Sequence, residues 1–281
     1  MLYNMPTIME PRGRCYFTPV LWKTLPPDVE DEVEEWRILR ERFARARRGE
    51  FAALDDLLDL YPRLKGPDTR MFACNLLGDA GTDEQLEAVE SFVLDDVKYI
   101  ETVCELCHSL GLWGRLSAVE AILTAYDRNF PGQCAEGLPA YLTTMLEPEF
   151  GAAADYPRKD TLEAFLAYET GVRDLWQRRL VELGGPKAYA FFGGPFSVRR
   201  VAERFLELLG TSSYENMMKP YLRQRFEAST GIDCSDFFEK NGDLKPLTAA
   251  ARLEAWLASD APDRFEPGER YFFGHKIPRR A

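Results

Sequence analysis

Residues 71–93, MFACNLLGDAGTDEQLEAVESFV, and 101–123, ETVCELCHSLGLWGRLSAVEAIL, align on one another at an offset of thirty. Cys74 meets Cys104, Leu76 meets Leu106, Gly81 meets Gly111, and Leu86, Ala88, Val89 and Glu90 meet Leu116, Ala118, Val119 and Glu120. Each copy reads as helix, glycine turn, helix, with apolar residues three and four apart. A looser third copy precedes them: a helix from Asp31 to about Arg48, a break at Gly49, and a second helix FAALDDLLDLYP that Pro62 stops. One helical hairpin cannot bury its apolar face alone. Stacked hairpins make a continuous core from nearest-neighbour contacts, so a period of this length constrains the chain more than any other feature.

The repeat predicts an all-α protein of HEAT-like helical hairpins, an α-solenoid, over residues 31–128. An extended arm, 1–30, precedes it and carries Pro-rich pieces such as LPPDVED. Residues 129–160 hold four prolines, one expected helix from Leu138 to about Leu146, and an irregular connection. A less regular helical region follows, 161–281. There Leu162, Phe165, Leu166, Val172, Leu175, Trp176, Leu180 and Leu183 are placed on one helix face, with Gly184-Gly185-Pro186 ending it. Ser197 is placed to cap VRRVAERFLELL, and further helices are expected over 213–228, 234–240 and 246–258. KAYAFFGGPFS and RFEPGERYFFGHKIPRRA read as aromatic, ordered loops or short strands.

CELCH at 104–108 carries the spacing of a c-type haem attachment site. Within the repeat, however, Ile100, Val103, Cys104, Cys107 and Leu110 form one helix stripe, and Cys74 fills the slot of Cys104 one copy earlier. Cysteine in such a stripe is a small hydrophobe, so the string reads as core, with no cofactor. A zinc site wants four Cys or His ligands, and the chain has one close Cys pair and two histidines, His108 and His275. No G-x-S-x-G and no phosphate-binding G-x-x-x-x-G-K-[ST] occurs. The start lacks an apolar leader run and no stretch is apolar enough to span a bilayer, so a reducing cytoplasm, free thiols and no membrane partner are expected.

Thirty-five basic residues face 46 acidic ones, a formal net charge of -11. That field repels phosphate backbones, arguing against nucleic acid, and favours a basic protein partner. The acids nearest the repeat turns and connections, Asp79, Asp83, Glu84, Asp95 and Asp96, with Glu147 and Glu149 further on, are the candidate partner-binding residues. Any one of them alone reads more readily as solvated surface than as a contact; a stripe across successive repeats makes the better interface. Trp113, in the turn GLWGR opposite Asp83, is either packed on the neighbouring hairpin or an interface anchor. His275, in YFFGHKIP, is a locally packed ring or a polar anchor.

With the repeats, GGPFSVRR at 193–200 and ERYFFGHKIP at 269–278 in view, the chain resembles the HEAT-like, mostly helical immunity proteins encoded beside bacterial polymorphic or contact-dependent toxins. The resemblance covers roughly 31–128, with short matches after it. It implies a non-catalytic protein that binds one cognate toxin, a basic one by charge, and occludes its active site. Two other classes remain open: a HEAT-like scaffold for another partner, and a helical-repeat enzyme or lyase using acids or cysteines in a groove.

Overall fold

Polar side chains mark where three of the helices start, and apolar stripes mark what the helices bury. The computed structural model describes residues 16–17, 30–95, 100–129, 137–148, 161–210, 218–239 and 244–279, with the side chains of 30–33 and 100–101 left aside. Most of the arm expected over 1–30, and Asp96 and Glu149 among the candidate residues, lie outside them. The described chain is mostly helical: α1 (Glu30–Ala46), α2 (Leu57–Leu60), α3 (Pro67–Ala80), α4 (Asp83–Leu94), α5 (Ile100–Trp113), α6 (Ala118–Asn129), α7 (Leu138–Leu146), α8 (Leu162–Leu183), α9 (Val198–Leu209), α10 (Met218–Thr230) and α11 (Pro246–Leu257). Strands among the described residues are confined to two antiparallel two-residue pairs, β1 (Ala190–Phe191) with β2 (Gly194–Pro195) and β3 (Tyr271–Phe272) with β4 (His275–Lys276).

Capping explains the sharpest helix starts. Thr82 and Gln85 form a reciprocal capping box at α4: the Gln85 N–H donates to Thr82 Oγ1 and the Thr82 N–H to Gln85 Oε1. Thr161 accepts from the Ala164 N–H at α8, and Ser197 from the Arg200 N–H at α9, as its sequence position predicts. Gly184, at φ +86°, ends α8 in the left-handed conformation.

The chain forms two compact units. The first comprises Met1–Leu54, Arg63–Phe72 and Ser197–Ile277; the second comprises Asp55–Pro62, Ala73–Phe196 and Pro278–Ala281, so the division falls within α3. In the first unit, Trp36, Leu39, Phe43 and Ala46 form the buried stripe of α1. Tyr16 stacks on Phe43 with ring centres 5.2 Å apart and meets Phe272 edge-on at 5.3 Å. The region after Gly49 is less regular than the expected single helix. It is a 3-10 turn, Phe51–Leu54, then α2, then a second 3-10 turn, Tyr61–Arg63. The helix expected over 234–240 is likewise a 3-10 turn, Ser235–Phe237.

In the second unit, α5 packs closely on α7 through Gly111, where an added Cβ would lie 2.8 Å from the Cβ of Tyr141. Gly111 is therefore a helix-contact glycine, and the expected turn at that point does not occur. The helix runs on to Trp113 and stops at Gly114, whose φ of +70° an L side chain rarely adopts.

The two aromatic loops have one architecture. Phe192-Gly193 and Phe273-Gly274 are two-residue turns with positive φ at every position: 45°, 72°, 49° and 80°. That sign pattern is what a type I′ hairpin turn demands. Each turn also caps a helix. The Phe192 and Gly193 N–H groups donate to Thr144 and Met145 carbonyls at the end of α7, at 2.7 and 3.1 Å. Those of Phe273 and Gly274 donate to Ala228 and Ser229 at the end of α10, at 2.6 and 2.9 Å. Helix C-termini leave carbonyls without intrahelical donors, and both hairpins supply them.

Candidate binding surface

Asp83 is the first residue of α4, where a carboxylate complements the helix dipole. It is buried, and two distant groups reach it. Trp113 Nε1–H donates to Asp83 Oδ1 at 3.0 Å, and the Tyr189 hydroxyl donates to the same oxygen at 2.5 Å. Arg115 stands beside them. One of its nitrogens lies 4.0 Å from Asp83 and 2.6 Å from Glu87, and its guanidinium lies 4.9 Å from the centre of the Trp113 ring. The start of α4, the end of α5 and the segment before β1 thus meet at one carboxylate.

The same burial governs three of the other candidate residues. Asp79 and Glu147 are 3% and 2% exposed, and Thr143 donates to Glu147 at 3.3 Å. Trp113 is fully enclosed at the end of α5, so it packs and does not project. An exposed acidic stripe through Asp79, Asp83 and Glu147 is therefore not what the fold presents. Of the expected set, Glu84 and Asp95 are exposed. Further exposed acids outside that set, Asp55, Asp56 and Asp59, belong to the same unit. Gln85 Nε2–H donates to Asp55 at 2.7 Å, which ties these aspartates to the start of α4. At the other end of α4, the guanidinium of Arg128 donates to the Leu94 and Asp95 carbonyls at 3.0 Å each.

CELCH lies inside α5. Cys104, Cys107 and His108 are buried, and His108 Nε2 lies 2.6 Å from Asn75 Oδ1 on α3. Burial, followed by the neighbouring Cys104 and Cys74 thiols, pushes the Cys107 thiol well above its ordinary range, so it is neutral and unreactive. Nearby, burial raises the Tyr61 phenol, which donates to Glu105. Among the described residues, no group of three or more His, Cys, Asp or Glu is arranged to hold a metal ion, and no helix is long and apolar enough to cross a membrane. His275 is exposed on β4 beside Gly49.

A second polar set, unforeseen in the sequence, is buried in the first unit. α10 is enclosed around its circumference even at Lys219, Arg223, Arg225 and Glu227. Glu227 accepts from Arg223 Nε–H at 3.2 Å and from the Cys234 N–H at 2.9 Å. Burial, and then the Glu227 charge, pushes the Cys234 thiol up. The alternation of charged and apolar residues in MKPYLRQRFEAST suggests a solvated face, so nothing in its pattern announces full burial.

Charge is divided unevenly between the units. The first holds 24 basic and 23 acidic residues, a net +1; the second holds 11 basic and 23 acidic, a net -12. Comparison with known protein families, with curated proteins and with solved structures yields no match.

Proposed function

We propose that the chain is a HEAT-like immunity protein, acting in the cytoplasm without turnover or cofactor, and that its second unit occludes the active site of a basic cognate toxin. The observation that carries this reading is the charge partition. All the net negative charge falls on one compact unit, -12 against +1. A solvated, soluble surface has no need of such segregation, while one-sided charge steers and orients a cationic partner. Hydrogen bonds at the repeat offset support the solenoid part of the proposal. Trp113 to Asp83, Gln85 to Asp55, and the Lys65 N–H to Glu35 each span thirty residues. Glu84, Asp95, Asp55, Asp56 and Asp59 are the side chains on which we place the interface; Asp83 and Trp113 hold it in shape from beneath.

The test is copurification with the toxin encoded beside it, followed by association kinetics. Glu84→Lys with Asp95→Lys should slow association at least tenfold at low salt and much less at high salt, while Asp260→Lys in the first unit leaves it unchanged. Equal effects from both units would sink the assignment of the surface, and turnover of a substrate by the purified chain would sink the inhibitor reading.

A further inference from the structure

Three of the five large apolar side chains that stand exposed among the described residues lie on α8: Leu162 at 67%, Leu166 at 50% and Val181 at 85%. The helix buries a narrow stripe, Phe165, Tyr168, Val172 and Leu175, and the expected inward positions Leu162 and Leu166 fall outside it. Leu162, Leu166, Thr170, Asp174, Gln177 and Val181 follow one another at three- and four-residue spacing along the outer side, a stripe about 28 Å long at 1.5 Å per residue.

The charges of α8 fall into two sets. Arg173 is held by Glu120 and Glu169, and Arg179 by Glu182. Glu163, Asp174 and Arg178 form no ion pair among the described residues, and Glu163 and Arg178 stand exposed near opposite ends of the outer stripe. The helix carries four acidic and three basic residues, a net -1, leaving 19 acidic and eight basic residues, a net -11, to the rest of the unit. A cationic partner is drawn to that remainder. α8 is a near-neutral element with exposed apolar side chains in an otherwise acidic unit, and its loose charges are of both signs.

We infer that α8 is a self-association surface, on which α8 of a second copy lies antiparallel about a two-fold axis near Gly171. That axis brings Leu162 against Val181 of the second copy, Glu163 against Arg178, and Leu166 against Gln177, each contact occurring twice as an isologous interface requires. The parallel arrangement sets Glu163 on Glu163 and Arg178 on Arg178, so charge alone selects the antiparallel one. A single helix pair buries less than the roughly 1,200 Å² of a stable interface, which makes the dimer reversible and its dissociation constant micromolar or weaker. This inference is independent of the toxin reading.

Sedimentation velocity of the full chain, from about 1 μM to about 1 mM, tests it. The expected result is a reversible monomer–dimer equilibrium. Glu163→Arg or Arg178→Glu alone should weaken it about tenfold, by placing like charges opposite one another, and the double variant should restore it. Leu166→Asp with Val181→Asp should abolish it. These side chains are exposed, and unchanged circular dichroism confirms that the variants fold. A chain that stays monomeric throughout overturns the inference. So does a dimer that ignores the single reversals, or one that the double swap fails to restore, since another surface then forms it.

Discussion

Asp83 illustrates how far a residue's role depends on what folds over it. Its neighbours in sequence announce a helix start: Thr82 and Gln85 spell the capping box, and that much is legible. What makes it an anchor is Tyr189, 106 residues away, which no local pattern reveals. With two donors on one buried carboxylate, Asp83→Ala leaves the indole N–H and the phenol without an acceptor, and should cost about 2–4 kcal/mol in chemical denaturation. Trp113→Phe keeps an aromatic ring but removes the indole N–H and leaves a void in a fully buried site, and should cost about 2–3 kcal/mol. Glu90 behaves oppositely. Desolvation raises its carboxyl above the ordinary range despite the hydrogen bond from Ser117. The stability it lends is present at low pH, where it is protonated in both folded and unfolded chains, and is lost as pH rises through the raised folded value. Glu90→Gln should therefore raise the melting temperature at neutral pH and leave it nearly unchanged near pH 4, as read by melting curves across that range. CELCH was legible as core because its stripe is local to one helix; thiol reagents should leave Cys107 unlabelled until the chain is denatured.

Elements read from sequence hold where a cap or a breaker speaks alone, and drift where packing overrides it. Leu138–Leu146, the start of α9 at Ser197 and the end of α8 at Gly184 follow their signals. α5 overruns its glycine because Gly111 is needed for the close approach of Tyr141, and only the positive φ of Gly114 stops it. The aromatic loops were legible as ordered, but not as a matched pair of helix-capping hairpins, since their acceptors belong to helices far away in the chain. The two turns nonetheless differ in their surroundings. An added Cβ at Gly193 would lie 2.8 Å from Arg179 and 2.9 Å from the Leu146 carbonyl, while at Gly274 it meets nothing within 4 Å. Both positions need positive φ, so both alanine variants bear the conformational cost of about 1 kcal/mol. Gly193→Ala adds a steric clash with backbone and should lose about 2–3 kcal/mol in all. Equal losses at the two positions would show that the turn conformation alone matters.

At the scale of the whole molecule, the total charge of -11 was legible and its distribution was not, because the two units interleave along the chain. The distribution has a consequence that requires no partner. A unit of net -12 repels itself when folded and relaxes on opening, while a unit of net +1 does not. Salt screens this: the Debye length falls from about 30 Å at 0.01 M to about 8 Å at 0.15 M, shorter than the span of a helix hairpin. Peptide-level hydrogen exchange across that range should show α4, α5 and α6 gaining protection, by roughly three- to tenfold, while α9 and α11 keep theirs. Replacing sodium chloride with sucrose at matched osmolality separates charge from general exclusion, since sucrose strengthens burial everywhere and screens nothing. Protection that rises uniformly with salt would mean that the acidic excess of the second unit does not set its stability. The surface offered to a cationic partner would then be weaker than the count of charges implies.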